Sequence, residues 1–242
     1  MAESEGLFIG CVPDGGRRAV NYNPTQYFES YERGGNVVGD MLKICIRDQR
    51  VRIFSAWGLS DENAVKRSRS ELTILNRIFH KFLVQLQSDL ETDAYKDVKV
   101  VHMGNPEFLD PRIQKIIDEI TLGTRDRQKK IFGLCLGYGS GDEMQRAAEL
   151  FYRRRQAGEK DVQFTNCLDL PQRGQIPFPP VDIIMRTGTD PLQPYTSGYL
   201  LPYQVKGQTQ EKYFPQFLPD CDPNIVLEAI ADYEERALRK GA

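Results

Sequence analysis

Short runs of branched apolar residues alternate along this chain with longer stretches in which apolar residues return every three or four positions. Leu7–Val12, Val51–Ala56, Val98–Met103, Ile131–Leu136 and Val181–Met185 are apolar at nearly every position, the pattern of strands covered on both faces. Tyr31, Gly35, Val38, Leu42 and Cys45 then fall on one helical face, and Leu72, Leu75, Phe79, Phe82, Leu86 and Leu90 do so after the second run. Asp110 followed by Pro111 supplies an N-cap and a first-turn proline ahead of Ile113, Ile116, Ile117 and Ile120. Met144, Ala147, Ala148 and Phe151 mark a further helix, and Asp222-Pro223 opens a last one carrying Ile225, Leu227, Ile230 and Tyr233. The proline-rich stretch from Leu170 to Pro180 predicts a loop. The alternation predicts an α/β fold, one domain over residues 1–242, with a largely parallel central sheet flanked by helices.

Composition removes several function classes. Among 242 residues, 32 Lys and Arg stand against 34 Asp and Glu, a net charge of -2, too balanced for the cationic field that nucleic acid requires. Five cysteines form no CxxC pair, which fits a reducing compartment. Met1 to Gly6 carries two glutamates and no apolar core, and no later stretch has the length of a membrane span. A cytoplasmic protein without an integral membrane segment is the expectation. His80 and His102, the only histidines, lack metal-ligand spacing, so any metal should be held by oxygen.

In open parallel sheets, ligands collect beyond the carboxyl ends of strands. Three polar junctions follow apolar runs. In Pro13-Asp14-Gly15-Gly16-Arg17-Arg18, glycines let backbone amides approach an anion and arginines offer paired donors; a tight turn with solvated arginines is the alternative. In Leu59-Ser60-Asp61-Glu62-Asn63, Ser60 is placed to cap a helix. Arg186-Thr187-Gly188-Thr189-Asp190 offers a second anion site or a turn.

Taken in order, these segments resemble the cis-prenyltransferases, the family of undecaprenyl and dehydrodolichyl diphosphate synthases. Asp14 to Arg18 is similar to the family's D-G-N-R-R loop, Leu59 to Asn63 to F-S-x-E-N, and Leu136-Gly137-Tyr138-Gly139 with Asp142 to L-N-Y-G-G-R. Asp182 to Gly188 resembles D-L-x-I-R-T-G, Ser197 to Leu201 resembles S-N-F-L-L, and Glu211 to Phe214 resembles E-L-Y-F. The colinear match runs nearly end to end.

The resemblance implies a Mg2+-dependent prenyltransferase acting on an allylic diphosphate, commonly as a homodimer. By it, Asp14 binds the metal and Gly15, Gly16, Arg17 and Arg18 surround the phosphates. Glu211 reaches the same metal across the subunit interface or from the chain end. Ser60 and Asn63 assist proton removal through a diphosphate relay, and Arg186 and Ser197 bind a second anion. Trp57 is a candidate for the prenyl tunnel or acceptor pocket, with ordinary packing as the alternative.

Departures from the pattern point to the acceptor. The second arginine of R-T-G-G-E-x-R-x-S is replaced by Tyr195, counted back from Ser197, in a stretch that contains Pro191 and Pro194. Losing a guanidinium removes charged hydrogen bonds worth about 1.5–3 kcal/mol each. Gly16 stands in place of the loop asparagine, and Glu32 or Tyr31 in place of a histidine ahead of Gly35. The first loop's further arginine is missing unless Arg33 reaches back. These changes resemble the irregular branch of the fold, the lavandulyl-type synthases and tuberculosinyl adenosine synthase. The expected acceptor is a second allylic diphosphate, an aromatic or nucleoside nucleophile, or water; the alternatives are a regular short-chain synthase using isopentenyl diphosphate and a non-catalytic partner subunit.

Overall fold

A computed structural model describes residues 6–192, 198–204 and 209–239. Its centre is a six-stranded, wholly parallel sheet in the order β3-β4-β2-β1-β5-β6. The strands are β1 (Leu7–Val12), β2 (Val51–Ser60), β3 (Val98–Met103), β4 (Lys130–Tyr138), β5 (Ile183–Arg186) and β6 (Gln210–Tyr213). The helices are α1 (Tyr27–Arg47), α2 (Asp61–Lys66), α3 (Arg69–Asp89), α4 (Pro111–Gly123), α5 (Ser140–Gln156), α6 (Asp169–Gly174) and α7 (Ile225–Arg239).

Strand alternation divides the core into two layers. Ile9 and Cys11 of β1, Phe54 and Ala56 of β2, and Phe132 and Leu134 of β4 face a cluster completed by α1, α3, α4 and α7. Phe8, Ile53, Ile131 and Cys135 face the other layer, built from α5, α6 and the segment through Tyr203. Both layers are apolar, which is why the strands read as continuous runs. Among the described residues no helix is long and apolar enough to cross a membrane.

Two segments differ from the sequence expectation. The stretch from Leu170 to Pro180 is not a loop throughout: its first residues belong to α6, where Pro171 lies in the first turn and breaks no intrahelical bond. That helix covers the outer edge of β3, and Lys99 Nζ donates to Gly174 O at 2.7 Å. A sixth strand, Gln210–Tyr213, lies beside β5 without an apolar run to announce it.

The second layer holds a buried polar network. Glu143 accepts hydrogen bonds from the hydroxyls of Tyr138 and Tyr203, both at 2.6 Å, and from the Asp169 amide at 2.8 Å. Asp169 accepts from Arg146 at 2.7 and 2.9 Å and from the Gly104 amide at 2.8 Å, and Arg173 lies 3.3 Å away. Burial, and then the Asp169 charge, push Glu143 up to about 7. Burial acts the same way on Asp169, but the Arg146 hydrogen bond and the charges of Arg173 and Arg146 outweigh it and hold that carboxyl below its ordinary value. Below about pH 7 the charge thus resides on Asp169 and the proton on Glu143.

A measurable pH dependence follows. The folded chain keeps the Glu143 proton above 4.5, where a free glutamate releases it, so this contribution to stability is complete below that pH and is lost as the pH rises to about 7. Between about pH 5 and about pH 7.5, the wild type should lose on the order of 2 kcal/mol more unfolding free energy than Glu143→Gln, as read by urea denaturation. Parallel profiles for the two proteins would remove this account of Glu143.

Candidate active site

The loop after β1 is fastened to the end of β5. Asp14 N donates to Thr187 Oγ1 at 2.9 Å, the same hydroxyl donates to Asp14 O at 2.8 Å, and Leu218 N donates to that carbonyl at 3.0 Å. The half-exposed Asp14 carboxylate meets Arg186 Nη2 at 2.8 Å, Arg18 Nη2 at 3.3 Å and the Gly15 amide at 2.7 Å. Burial pushes the Asp14 carboxyl up, but the Arg186 hydrogen bond and the charges of Arg186 and Arg18 prevail and hold it below the ordinary value. Asp14 is therefore an anion at neutral pH.

Two glycines make this packing attainable. Gly15 has φ +105°, and a Cβ there would lie 2.7 Å from the Phe217 ring; Gly188 has φ +64°, and a Cβ there would lie 2.9 Å from Arg18 Nη2. The Arg18 guanidinium also lies over the Phe217 ring at 5.2 Å, and the exposed Arg17 lies over Tyr22 at 5.9 Å.

Beneath the loop is a cavity of about 350 Å³ between the sheet, α1 and α3. Its mouth is polar, formed by Asp14, Gly15, Gly16, Arg17, Arg18 and Arg67. Its far end is apolar, formed by Val38, Leu75, Ile78, Phe79, Phe82 and Phe132. An opening with one carboxylate and three guanidiniums, backed by a hydrocarbon-lined end, suits an amphiphile with an anionic head.

The expected site residues divide by position. Asn63 lines the cavity. Ser60 caps α2, its Oγ accepting from Asn63 N at 3.0 Å. Arg186 sits below the mouth, joined to Asp14. Trp57 is not brought to the cavity: Ala56 and Gly58 line it from β2, so the intervening side chain points to the other layer. There Trp57 stacks on Tyr199 at 5.0 Å and donates from Nε1 to Tyr138 O at 2.9 Å, the packing alternative. Arg33 does not reach back to the loop, since it binds Pro219 O and Asp220. Tyr195 and Ser197 lie outside the described residues.

Glu211 is not beside Asp14 within one chain. It pairs with Ile184 on β5, which pairs with Gly10 on β1. β6 is thus two strand spacings, about 10 Å, from β1, and Tyr213 OH donates to the Glu211 carboxylate. Among the described residues no group of three His, Cys, Asp or Glu is placed to hold a metal. The donor chemistry at Asp14 nonetheless fits Mg2+, which is commonly held by one or two carboxylates together with substrate phosphates and water.

Two residues that the sequence reading left out, Arg67 on the mouth and Glu71 behind it, hold Tyr31 in place. Arg67 donates to Tyr31 OH at 2.8 Å and to Glu71, and Tyr31 OH donates to Glu71. Arg67 and Glu71 are four positions apart around Ser68, the N-cap of α3. That spacing was the available signal; which face of α3 met the cavity was not.

Comparison with known proteins agrees with this geometry. Residues 12–241 match the Prenyltransf family model, described as "Putative undecaprenyl diphosphate synthase". The chain is 28% identical over 241 residues to a geranylgeranyl-diphosphate-specific tritrans,polycis-undecaprenyl-diphosphate synthase of Pyrobaculum aerophilum, with 96% of this chain and 94% of that protein covered. It is 25% identical over 246 residues to an isoprenyl transferase of Leptospira interrogans, covering 96% and 93% of the two chains. Among solved structures, lavandulyl diphosphate synthase from Lavandula x intermedia, in complex with dimethylallyl diphosphate, superposes with a TM-score of 0.81 at 20% identity, covering 96% of each chain.

Proposed function

This chain belongs to the cis-prenyltransferase family, and from that premise we propose that it ionises a short allylic diphosphate of the dimethylallyl or geranyl class and transfers the prenyl group to an acceptor other than isopentenyl diphosphate. The family supplies the reaction class, prenyl transfer from a diphosphate. The observation that carries the finer reading is the cavity, whose 350 Å³ lies near the low end of the roughly 300–1,000 Å³ of small-ligand sites. It suits a short hydrocarbon tail better than a chain of many isoprene units.

The allylic diphosphate lies with its phosphates on the Gly15 and Gly16 amides and the Arg17 and Arg18 guanidiniums. Negative charge grows on the departing diphosphate as the carbon–oxygen bond breaks, and donors fixed at that place lower the barrier. Mg2+ held by Asp14 and phosphate oxygens would neutralise part of the same charge. The Arg18 guanidinium, at the longer 3.3 Å separation from Asp14, is a donor that a phosphate can take over. Glu211 joins the site only if a second copy brings it, which makes a homodimer part of the proposal.

Asn63, on the cavity wall, and Ser60 beside it orient the acceptor's proton toward a phosphate oxygen, the final base in such a relay. The apolar end keeps water from the cation. Arg186 is already engaged by Asp14, and Tyr195 stands where the resemblance expects a second arginine. Both features favour an acceptor with less negative charge than a diphosphate.

A regular synthase is the second reading, favoured by the description of the matching family and by the Pyrobaculum relative. The two separate in one assay. Protein with Mg2+ is given dimethylallyl, geranyl, farnesyl or geranylgeranyl diphosphate, with and without isopentenyl diphosphate. The proposal expects EDTA-sensitive diphosphate release from the short substrates without isopentenyl diphosphate. Elongation only when isopentenyl diphosphate is present selects the regular synthase, and no turnover or EDTA-sensitive binding with any substrate sinks both.

A further inference from the structure

Gly16 and Tyr31 depart from the family pattern together, and the structure places them in contact. A Cβ on Gly16 would lie 2.9 Å from Tyr31 Cε1 and 3.0 Å from Cδ1. Gly16 is not in the left-handed region, so its glycine is explained by space. Glu32, the other candidate for the missing histidine's place, instead pairs with Lys81 on α3. Tyr31 is therefore the member of that pair that reaches the mouth.

Its hydroxyl has two defined partners. It accepts from Arg67 Nη1 at 2.8 Å and donates to Glu71, while the Arg67 guanidinium lies 5.8 Å from the Tyr31 ring centre. Burial, and then the Glu71 hydrogen bond, push the phenol up, so it remains protonated at neutral pH and keeps this polarity. Arg67 Nε is buried and has no hydrogen-bond partner. A buried guanidinium donor left open in a residue that lines the same cavity as Arg17 and Arg18 is a feature that an incoming anion can satisfy.

We propose that Tyr31 is a positioning residue of the diphosphate site: it holds the Arg67 guanidinium at the boundary between the polar mouth and the apolar end, and Gly16 lacks a side chain to admit the Tyr31 ring. This rests on the reading of the cavity as an allylic diphosphate site. At that boundary the phosphate oxygen bound to the prenyl carbon meets the hydrocarbon. The orientation of Arg67 then bears on substrate capture more than on fold stability.

The test is binding of magnesium pyrophosphate by calorimetry, with KM and kcat for geranyl diphosphate, in the wild type, Tyr31→Phe, Gly16→Ala, Tyr31→Ala and the Gly16→Ala/Tyr31→Ala double variant. Tyr31→Phe keeps the ring and loses the hydroxyl. It should raise the pyrophosphate Kd and the substrate KM about tenfold, equivalent to about 1.4 kcal/mol, with kcat changed less and the melting temperature preserved. Gly16→Ala should weaken binding similarly in the wild type and add less than about twofold once Tyr31 is alanine, because the two positions share one volume. If the wild type binds pyrophosphate and Tyr31→Phe binds it equally well, or if the two substitutions add fully, this inference fails alone. If the wild type does not bind pyrophosphate, the inference and the diphosphate reading fail together.

Discussion

Asp14→Ala should lower turnover of an allylic diphosphate by about 10³-fold or more, equivalent to about 4 kcal/mol of transition-state stabilisation. The size follows from the number of tasks at one carboxylate. Asp14 is the ionised oxygen donor at the mouth, it holds Arg18 and Arg186, and its loop presents the Gly15 and Gly16 amides. Loss of one fixed donor at a developing anion costs about 10²–10³ by itself, and losing the proposed metal ligand would add to that. Alanine also strips a partner from Arg186, which is only 8% exposed, so the isosteric Asp14→Asn is the necessary companion. Asparagine retains an oxygen for the Gly15 amide but carries no charge for a metal. Both variants should stay folded by circular dichroism, and both should lose magnesium pyrophosphate binding. A folded Asp14→Asn protein with more than about one tenth of wild-type turnover would show that the carboxylate is not the metal ligand.

Much of the fold was legible because parallel strands buried on both faces leave continuous apolar runs, and five of the six strands did so. β6 was hidden because it is a short edge strand of Gln, Glu, Lys and Tyr, recognisable only by pairing with β5. α6 was hidden by Pro171, which is a helix breaker in general but not in a first turn. The Asp14 loop was legible because its chemistry is local: anion donors and a carboxylate follow one strand within six residues. Relations across elements were not. Trp57 and Gly58 differ by one position, and strand register alone sends the first into the aromatic packing and the second to the cavity wall. Tyr31 and Gly16 lie 15 residues apart, and the space between them exists only once α1 is laid against the loop.

The largest effect away from the mouth belongs to Asp169. This carboxylate is 4% exposed and fixes α5 through Arg146, the strand end of β3 through the Gly104 amide, and its own helix through Arg173. Breaking a buried ion pair by removing one partner typically costs about 3–5 kcal/mol, since the remaining charge keeps its desolvation penalty. Arg146 would retain Asp142 at 2.7 Å, which argues for the lower part of that range. Even so, against a total stability of about 5–15 kcal/mol, Asp169→Ala should lower the melting temperature by roughly 10 °C in a chain of this size. A second consequence separates charge from packing. The Asp169 charge helps to raise Glu143, so removing it should let Glu143 ionise nearer its ordinary value and shrink the fall in stability between about pH 5 and about pH 7.5. Asp169→Asn, which preserves shape, should shrink that slope too while costing less overall. Magnesium pyrophosphate binding, measured well below the melting transition, should survive in both, because the network lies across the sheet from the cavity. Thermal and urea denaturation of the two variants decide the matter: an alanine variant within about 1 kcal/mol of the wild type, with an unchanged pH slope, would mean that these carboxylates do not act on one another as their geometry implies.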